Sequence, residues 1–344
     1  MTALLARSPE EASRVVALTL LARVGEAARR LEDPDDAEAL HDFRVALRRL
    51  RSVLRAYRKP LAGSVKKRHR RQLRDLAAAT GPGRDAEVAA GWVAAQRETL
   101  PSEQKGGART LGDRLEARRG KGYEKVRRQL AEDFAPLAES LERRLGVYRR
   151  EIHLQGGAGS DSFGELVALE LRRDLDRLLA ALAAVGSVDD SDPCHRARLA
   201  GKRVRYLLEP LAGGLGAVEP ILKRLKRLQD LLGELNDAHV LEAELERSVE
   251  GAARQRARQL FAEALEGGEP ATGEGWGPVE ALLTLARRNR ERRDLRYAEL
   301  EVGWLRAGND GEGGSAGGER RSLEAAVREL LHWLDAGFSP PPPA

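Results

Sequence analysis

A histidine followed by arginine or lysine at positions +3, +7, +8 and +10 occurs twice in this chain. The first set is His41, Arg44, Arg48, Arg49 and Arg51, and the second is His195, Arg198, Lys202, Arg203 and Arg205. Guanidinium groups present planar, paired donors that suit phosphate oxygens and stay charged at physiological pH, whereas a lysine ammonium acts as a point charge toward the same anions. A histidine at the head of each stripe adds a donor that is neutral or cationic near pH 6 to 7. Each histidine also falls near a helix start, where backbone N–H groups favour anions. The chemistry these groups suggest is the holding of a highly charged anion.

The rest of the chain sharpens this point. Segments 41–59, 64–84, 195–205 and 223–227 together hold twenty-three Lys/Arg and only two acids, Asp42 and Asp75. The remaining residues carry 36 bases against 52 acids, so a formal net charge of only +5 conceals a strong separation of sign. A polyanion partner is the expectation.

Helices must position these stripes. Apolar residues recur at helical spacing along most of the chain, Ala, Leu and Arg dominate, and aromatic residues make up only 4%. The periodicity predicts helices near 9–31, 38–59, 64–80, 84–99, 121–150, 162–185, 193–212, 217–232, 236–265, 278–305 and 320–335. Asp33-Pro34-Asp35, Gly81-Pro82-Gly83, a Gly-rich linker at 155–161 and a second break at 267–277 read as punctuation. The stretch 308–318 reads as flexible and Pro340 to Pro343 as unstructured.

On the first basic helix His41, Arg44, Arg48, Arg51, Arg55 and Arg58 fall on one face, with Leu47, Leu50, Leu54 and Tyr57 roughly opposite. The ridge extends about 25 Å at a rise of 1.5 Å per residue. In the second copy Val204, Leu208 and Leu211 turn toward a core. The repetition continues downstream: Leu73-Arg74-Asp75-Leu76 followed by Gly81 and Asp85 parallels Leu225-Lys226-Arg227-Leu228 followed by Gly233 and Asp237. The helices before the two stripes, within 8–40 and 161–192, each hold eight acids and fewer bases. An internal duplication follows. The expected fold is all-α, with two pseudo-symmetric antiparallel helical bundles around a basic central groove. The expected divisions are 1–155, 156–306 and a flexible tail, 307–344, with one short helix.

Rival readings stand beside these. The acidic helices could neutralise the ridges internally, leaving no ligand at all. His41 or His195 could cap, pack or hold a metal, although neither has a second His, Cys or carboxylate at ligand spacing. Asp85 and Asp237 read best as N-caps, and Gln229-Asp230 could orient the basic run Lys223 to Arg227. The four tryptophans show no spacing that would stack bases. Cys194, the one cysteine, permits no intramolecular disulfide and reads as chemically idle in a reducing compartment. The apolar stretch Val15 to Ala22 is short and bounded by Arg14 and Arg23, so neither a signal peptide nor a membrane contact is expected. The expected location is cytoplasmic.

The stretch from His41 to Ser52, its echo from His195 to Tyr206, and the stretch from Leu225 to Ala238 resemble the CHAD family, an α-helical domain named for its histidines. The resemblance spans about 9–300. It implies two helical bundles around a basic groove, binding of inorganic polyphosphate, and residence at polyphosphate granules with other granule proteins as partners. It carries the ligand role to His41, Arg44, Arg48, Arg49, Arg51, Arg74 and Arg84 in the first half. In the second half it reaches His195, Arg198, Lys202, Arg203, Arg205, Tyr206 and Lys226, with Lys223 from the same basic run. Two departures matter. Asn236 stands where the first copy has Arg84, and the Glu-x-Glu-x-Lys strand motif of the triphosphate-tunnel domain often fused to this family does not occur.

The expectation is therefore a non-catalytic polyphosphate binder with no cofactor. A nucleic-acid binder reading phosphate backbones is the alternative. A polyphosphate-processing enzyme with His41 or His195 as phosphohistidine is a third reading, which the acid-free basic faces disfavour because they offer nothing to anchor magnesium.

Overall fold

The computed structural model describes residues 1–33, 36, 38–147, 162–266, 276–306 and 318–337. The linker at 155–161, most of the break at 267–277, residues 308–317 of the expected flexible stretch and the final prolines lie outside these residues, as do Pro34 and Asp35. All regular structure among the described residues is helical. The chain begins with α1 (Thr2–Leu5), α2 (Pro9–Arg30), α3 (Ala39–Ala56), α4 (Lys67–Ala79), α5 (Gly81–Arg97) and α6 (Ser102–Gly146). Then come α7 (Phe163–Ala183), α8 (Ser191–Leu208), a 3-10 turn at Glu209–Gly214, and α9 (Val218–Leu265). Last are α10 (Gly277–Leu300), a π-helical turn at Glu301–Leu305, and α11 (Gly318–Asp335).

Local chemistry accounts for several of these starts. The Ser8 hydroxyl accepts from the Glu11 N–H and caps α2 with Pro9 at its first position. Ser162 and Glu165 form a reciprocal capping box on α7, at 3.2 and 2.8 Å. The apolar face read from the first stripe is buried as expected, with Leu47, Leu50, Leu54 and Tyr57 all essentially inaccessible, and so are Val204, Leu208 and Leu211 of the second.

Three sequence expectations are corrected. The break between α4 and α5 falls at Thr80, and Gly81-Pro82-Gly83 forms the first turn of α5 instead of preceding it, because a proline there gives up an N–H that has no partner inside the helix anyway. Asp85 thus lies inside α5 and is not its N-cap. The helices expected at 217–232 and 236–265 are one continuous α9. Leu228, Leu232, Leu235 and Ala238 carry a fully buried stripe across Gly233, and this burial outweighs the roughly 1 kcal/mol that one interior glycine costs relative to alanine. Asp237 is therefore mid-helix, not an N-cap. Finally, α6 begins at Ser102, some twenty residues before the expected start near 121. Two of its glycines serve close packing: a Cβ on Gly107 would stand 2.8 Å from the Pro278 Cα, and one on Gly122 would stand 2.8 Å from the Gly83 Cα.

The chain forms two compact units, 1–80 with 124–232 and 300–344, and 81–123 with 233–299. They do not follow the division at 155 and 306 expected from the sequence, since each unit draws helices from both sides of the linker. In the first, α2 packs on α3, α7 on α8, and α3 touches both α4 and α8. Phe43 meets Phe134 edge-on at 5.8 Å, and Tyr57 meets Phe163 at 5.0 Å. The helix expected in the tail is present as α11, which buries Leu323, Val327, Leu330 and Leu334 and packs against α7. In the second unit, a core of Val93, Leu111, Leu115, Leu241, Leu245 and Leu285 holds α5, α10 and parts of α6 and α9 together.

Candidate anion-binding site

The first unit contains a cleft of about 780 Å³ walled by α3, α4 and α8. Helix α3 contributes Arg48, Arg51 and Arg55 from its basic ridge. Helix α4 adds Lys67, Arg68, Arg70, Arg71 and Arg74, and α8 adds Lys202 and Arg203. Among the described residues no carboxylate lines it. Tyr206 closes one side, its buried ring lying 5.5 Å from the Arg48 guanidinium carbon, a distance at which the ring face attracts the cation.

Cations dominate the cleft, although Arg74 pairs with the adjacent Asp75 at 3.3 Å. Burial, followed by the neighbouring charges of Arg55 and Arg74, lowers the pKa of Arg51 from its ordinary value. Burial and then Arg203 do the same at Arg55, and burial and then Arg58 at Arg70. All remain cationic, since arginine does not deprotonate in proteins. The cations of α4 crowd its first turns, which contain no acid. A helix start is already the positive end of the backbone dipole and ordinarily attracts acids. Arg48 and Arg203 each hold Nε out of solvent without a hydrogen-bond acceptor among the described residues, as does Arg70 with Nε and one Nη. A bound polyanion would supply both the missing acceptors and the missing negative charge.

Of the residues singled out from sequence, Arg48, Arg51, Arg74, Lys202, Arg203 and Tyr206 share this cleft. Others are placed elsewhere. His41 and His195 are exposed at the starts of α3 and α8 and line none of the cavities described here. Arg44 donates to the Thr80 carbonyl at the end of α4. Arg198 sits on α8 one turn before Lys202. Arg49 and Arg205 converge on one internal carboxylate, Glu209, at 2.5 and 2.8 Å. The Gln229 amide oxygen also accepts from Arg205, at 3.0 Å, so this glutamine orients Arg205 and not the run after Lys223. Arg84 belongs to the second unit, where it pairs with Glu87 at 2.9 Å.

Lys223 and Lys226 line a different groove of about 980 Å³, together with Arg205, Arg224 and Arg227. Unlike the cleft, this groove includes carboxylates, those of Glu209, Glu219 and Glu319. Arg227 donates to Glu319 of α11 at 2.5 Å.

Five cleft cations escaped the sequence-based site: Arg55, Lys67, Arg68, Arg70 and Arg71. Signals for them existed. Arg55 continues the ridge of α3, and the other four lie in the basic segment 64–84, whose excess of charge was plain while its partner helix was not. Among the described residues no group of three or more His, Cys, Asp or Glu is placed to hold a metal ion. Cys194 is buried, and that burial, with Asp190 nearby, pushes its thiol up to about 11, so it is a poor nucleophile. No helix among the described residues is long and apolar enough to cross a membrane.

Comparison with known proteins agrees with this architecture. The chain matches the crystal structure of the CHAD domain from the plant Ricinus communis over 93% of both chains, with a TM-score of 0.57 and 19% identity. It matches the structure of PptA from Streptomyces chartreusis over 87% of this chain and 100% of that one, with a TM-score of 0.64 and 14% identity. A search of curated proteins finds no match. The family model of the CHAD domain matches residues 16–246, two-thirds of the sequence, and the chain accordingly belongs to the CHAD domain family.

Proposed function

We propose that this protein binds inorganic polyphosphate, without catalysis, in the cleft between α3, α4 and α8, and that this binding places it at polyphosphate granules in the cytoplasm. One observation carries the reading: ten lysine and arginine side chains and no carboxylate line a single 780 Å³ space. Polyphosphate offers a dense row of oxygen acceptors and no bases to stack, which suits a cleft whose one aromatic residue among the described residues, Tyr206, is turned to an arginine. Membership of the CHAD family supports the same ligand through the resemblance noted above. The absence of carboxylates from the cleft lining disfavours phosphoryl transfer, which ordinarily relies on acidic residues to hold magnesium.

Titration of the protein with long-chain polyphosphate tests this, using the variant Arg51→Glu/Arg203→Glu as the comparison. Loss of affinity by at least tenfold in the variant is expected. Unchanged affinity, or displacement of polyphosphate by duplex DNA or RNA at equal phosphate concentration, would move the assignment elsewhere. Orthophosphate release in the presence of magnesium would replace the non-catalytic reading.

A further inference from the structure

The second basic groove differs from the cleft in one respect: the protein's own acids already occupy part of it. Its floor is the run Lys223, Arg224, Lys226 and Arg227 at the start of α9, and one wall is the first turn of α11, with Gly318, Glu319 and Ser322. Lys223 and Lys226 have no ion pair among the described residues, but Arg227 is engaged by Glu319 at 2.5 Å. Helix α11 is fixed in that position by an apolar stripe, Leu323, Val327, Leu330 and Leu334, and by an ion pair between Arg172 and Asp335 at its far end. The carboxylate is therefore held at the groove by a packed helix and not by a loose side chain alone.

We infer that Glu319 is a specificity-determining residue, an internal anion that competes with the phosphate chain for Arg227 and so favours long polymers over short ones. The inference rests on the polyphosphate reading above. The Arg227–Glu319 pair is partly exposed, with side-chain accessibilities of 55% and 34%. Such pairs are weak and screened by salt. A short phosphate chain held in the cleft gains nothing by displacing Glu319. On α8, Arg203 and Tyr206 line the cleft and Arg205 lines the groove, so a long chain that crosses α8 meets Lys223 and Lys226 together with Arg227, and its many charges outcompete a single carboxylate. The result is a threshold: the groove joins the binding surface only for polymers long enough to reach it.

The test compares full-length wild type, Glu319→Gln, Arg227→Gln and the double variant, each titrated with tripolyphosphate and with long-chain polyphosphate. Glu319→Gln should tighten long-chain binding roughly two- to fivefold, the range a surface ion pair is worth, and leave tripolyphosphate affinity unchanged. In the Arg227→Gln background the same substitution should do nothing, which identifies the pair as the cause. Equal tightening for both ligands, or none for the long chain, overturns the inference while leaving the cleft reading intact. Failure of wild type to bind either ligand overturns the cleft reading and the inference with it.

Discussion

The guanidinium carbon of Arg48 lies 5.5 Å from the centroid of the Tyr206 ring, so α3 and α8, the helices carrying the two copies of the basic stripe, face one cleft through a cation and an aromatic ring. Tyr206 is 3% exposed, and burial holds its hydroxyl above the usual phenol range. The ring therefore contributes shape and a negative face, not a titrating group. Tyr206→Phe should retain polyphosphate affinity and cost less than about 1.5 kcal/mol of stability. Tyr206→Ala should cost about 3–5 kcal/mol. Chemical denaturation of both variants, with binding measured on the folded protein, checks this pair.

Counterion release gives a second expectation. If the cleft cations contact phosphates, affinity should fall linearly with the logarithm of salt concentration. Each of Arg48→Gln, Arg51→Gln and Arg203→Gln should lower the magnitude of the slope by about 0.7–0.9. Arg84→Gln, at a residue paired with Glu87 in the other unit, provides the comparison. A slope unaffected by the cleft substitutions would place the ligand on other residues.

These comparisons also show what periodicity can and cannot disclose. Helical spacing put Arg48 and Arg51 opposite Leu47 and Leu50, and that division of faces is what the fold uses. Spacing says nothing about which neighbour approaches a ridge, so Lys67 to Arg71 were visible only as charge until α4 took its place beside α3. The same limit explains Arg49, which ends on Glu209, 160 residues away in sequence, whereas the Arg205–Glu209 pair is an i,i+4 contact that helical spacing already contained. The break at Gly233 was over-read, and the start of α5 was placed three residues late, for a related reason. Gly81 and Gly233 carry intrinsic penalties of about 1 kcal/mol in a helix, which buried leucines on the same helix override in α9. Gly107 and Gly122 of early α6 look like loop residues until their close approach to Pro278 and Gly83 is seen.

His69 predicts a pH dependence of stability. It is 2% exposed; its Nδ1 accepts from the Lys66 N–H at 3.3 Å and its Nε2 lies 3.3 Å from the Ser140 hydroxyl. Desolvation, then Arg68, Arg144, Arg70 and Lys66, lower its pKa from the ordinary 6.5. The unfolded chain then binds a proton more readily than the folded one, so this group leaves stability undiminished above about pH 6.5 and removes it as pH falls below that value. The urea midpoint should decline between pH 7.5 and 5. The decline should be smaller in His69→Gln, after allowing for the lower stability of that variant at high pH. An equal decline in both would assign the effect to other groups.

Two glycines in the second unit should respond oppositely to the same added methyl group. Gly91 lies on an exposed part of α5 where a Cβ would meet nothing within 4 Å. There Gly91→Ala only removes backbone freedom from the unfolded chain and should stabilise by about 0.5–1 kcal/mol. At Gly122 the new carbon would come within 2.8 Å of the Gly83 Cα and 3.0 Å of its nitrogen. Both are backbone atoms, so relief requires the two helices to separate, not a side chain to rotate. Gly122→Ala should therefore destabilise by about 1–3 kcal/mol despite alanine's better helix propensity. Thermal unfolding of the two variants should move the midpoint in opposite directions. A Gly122→Ala midpoint at or above that of wild type would mean that α5 and α6 do not meet as closely as Gly83 and Gly122 require.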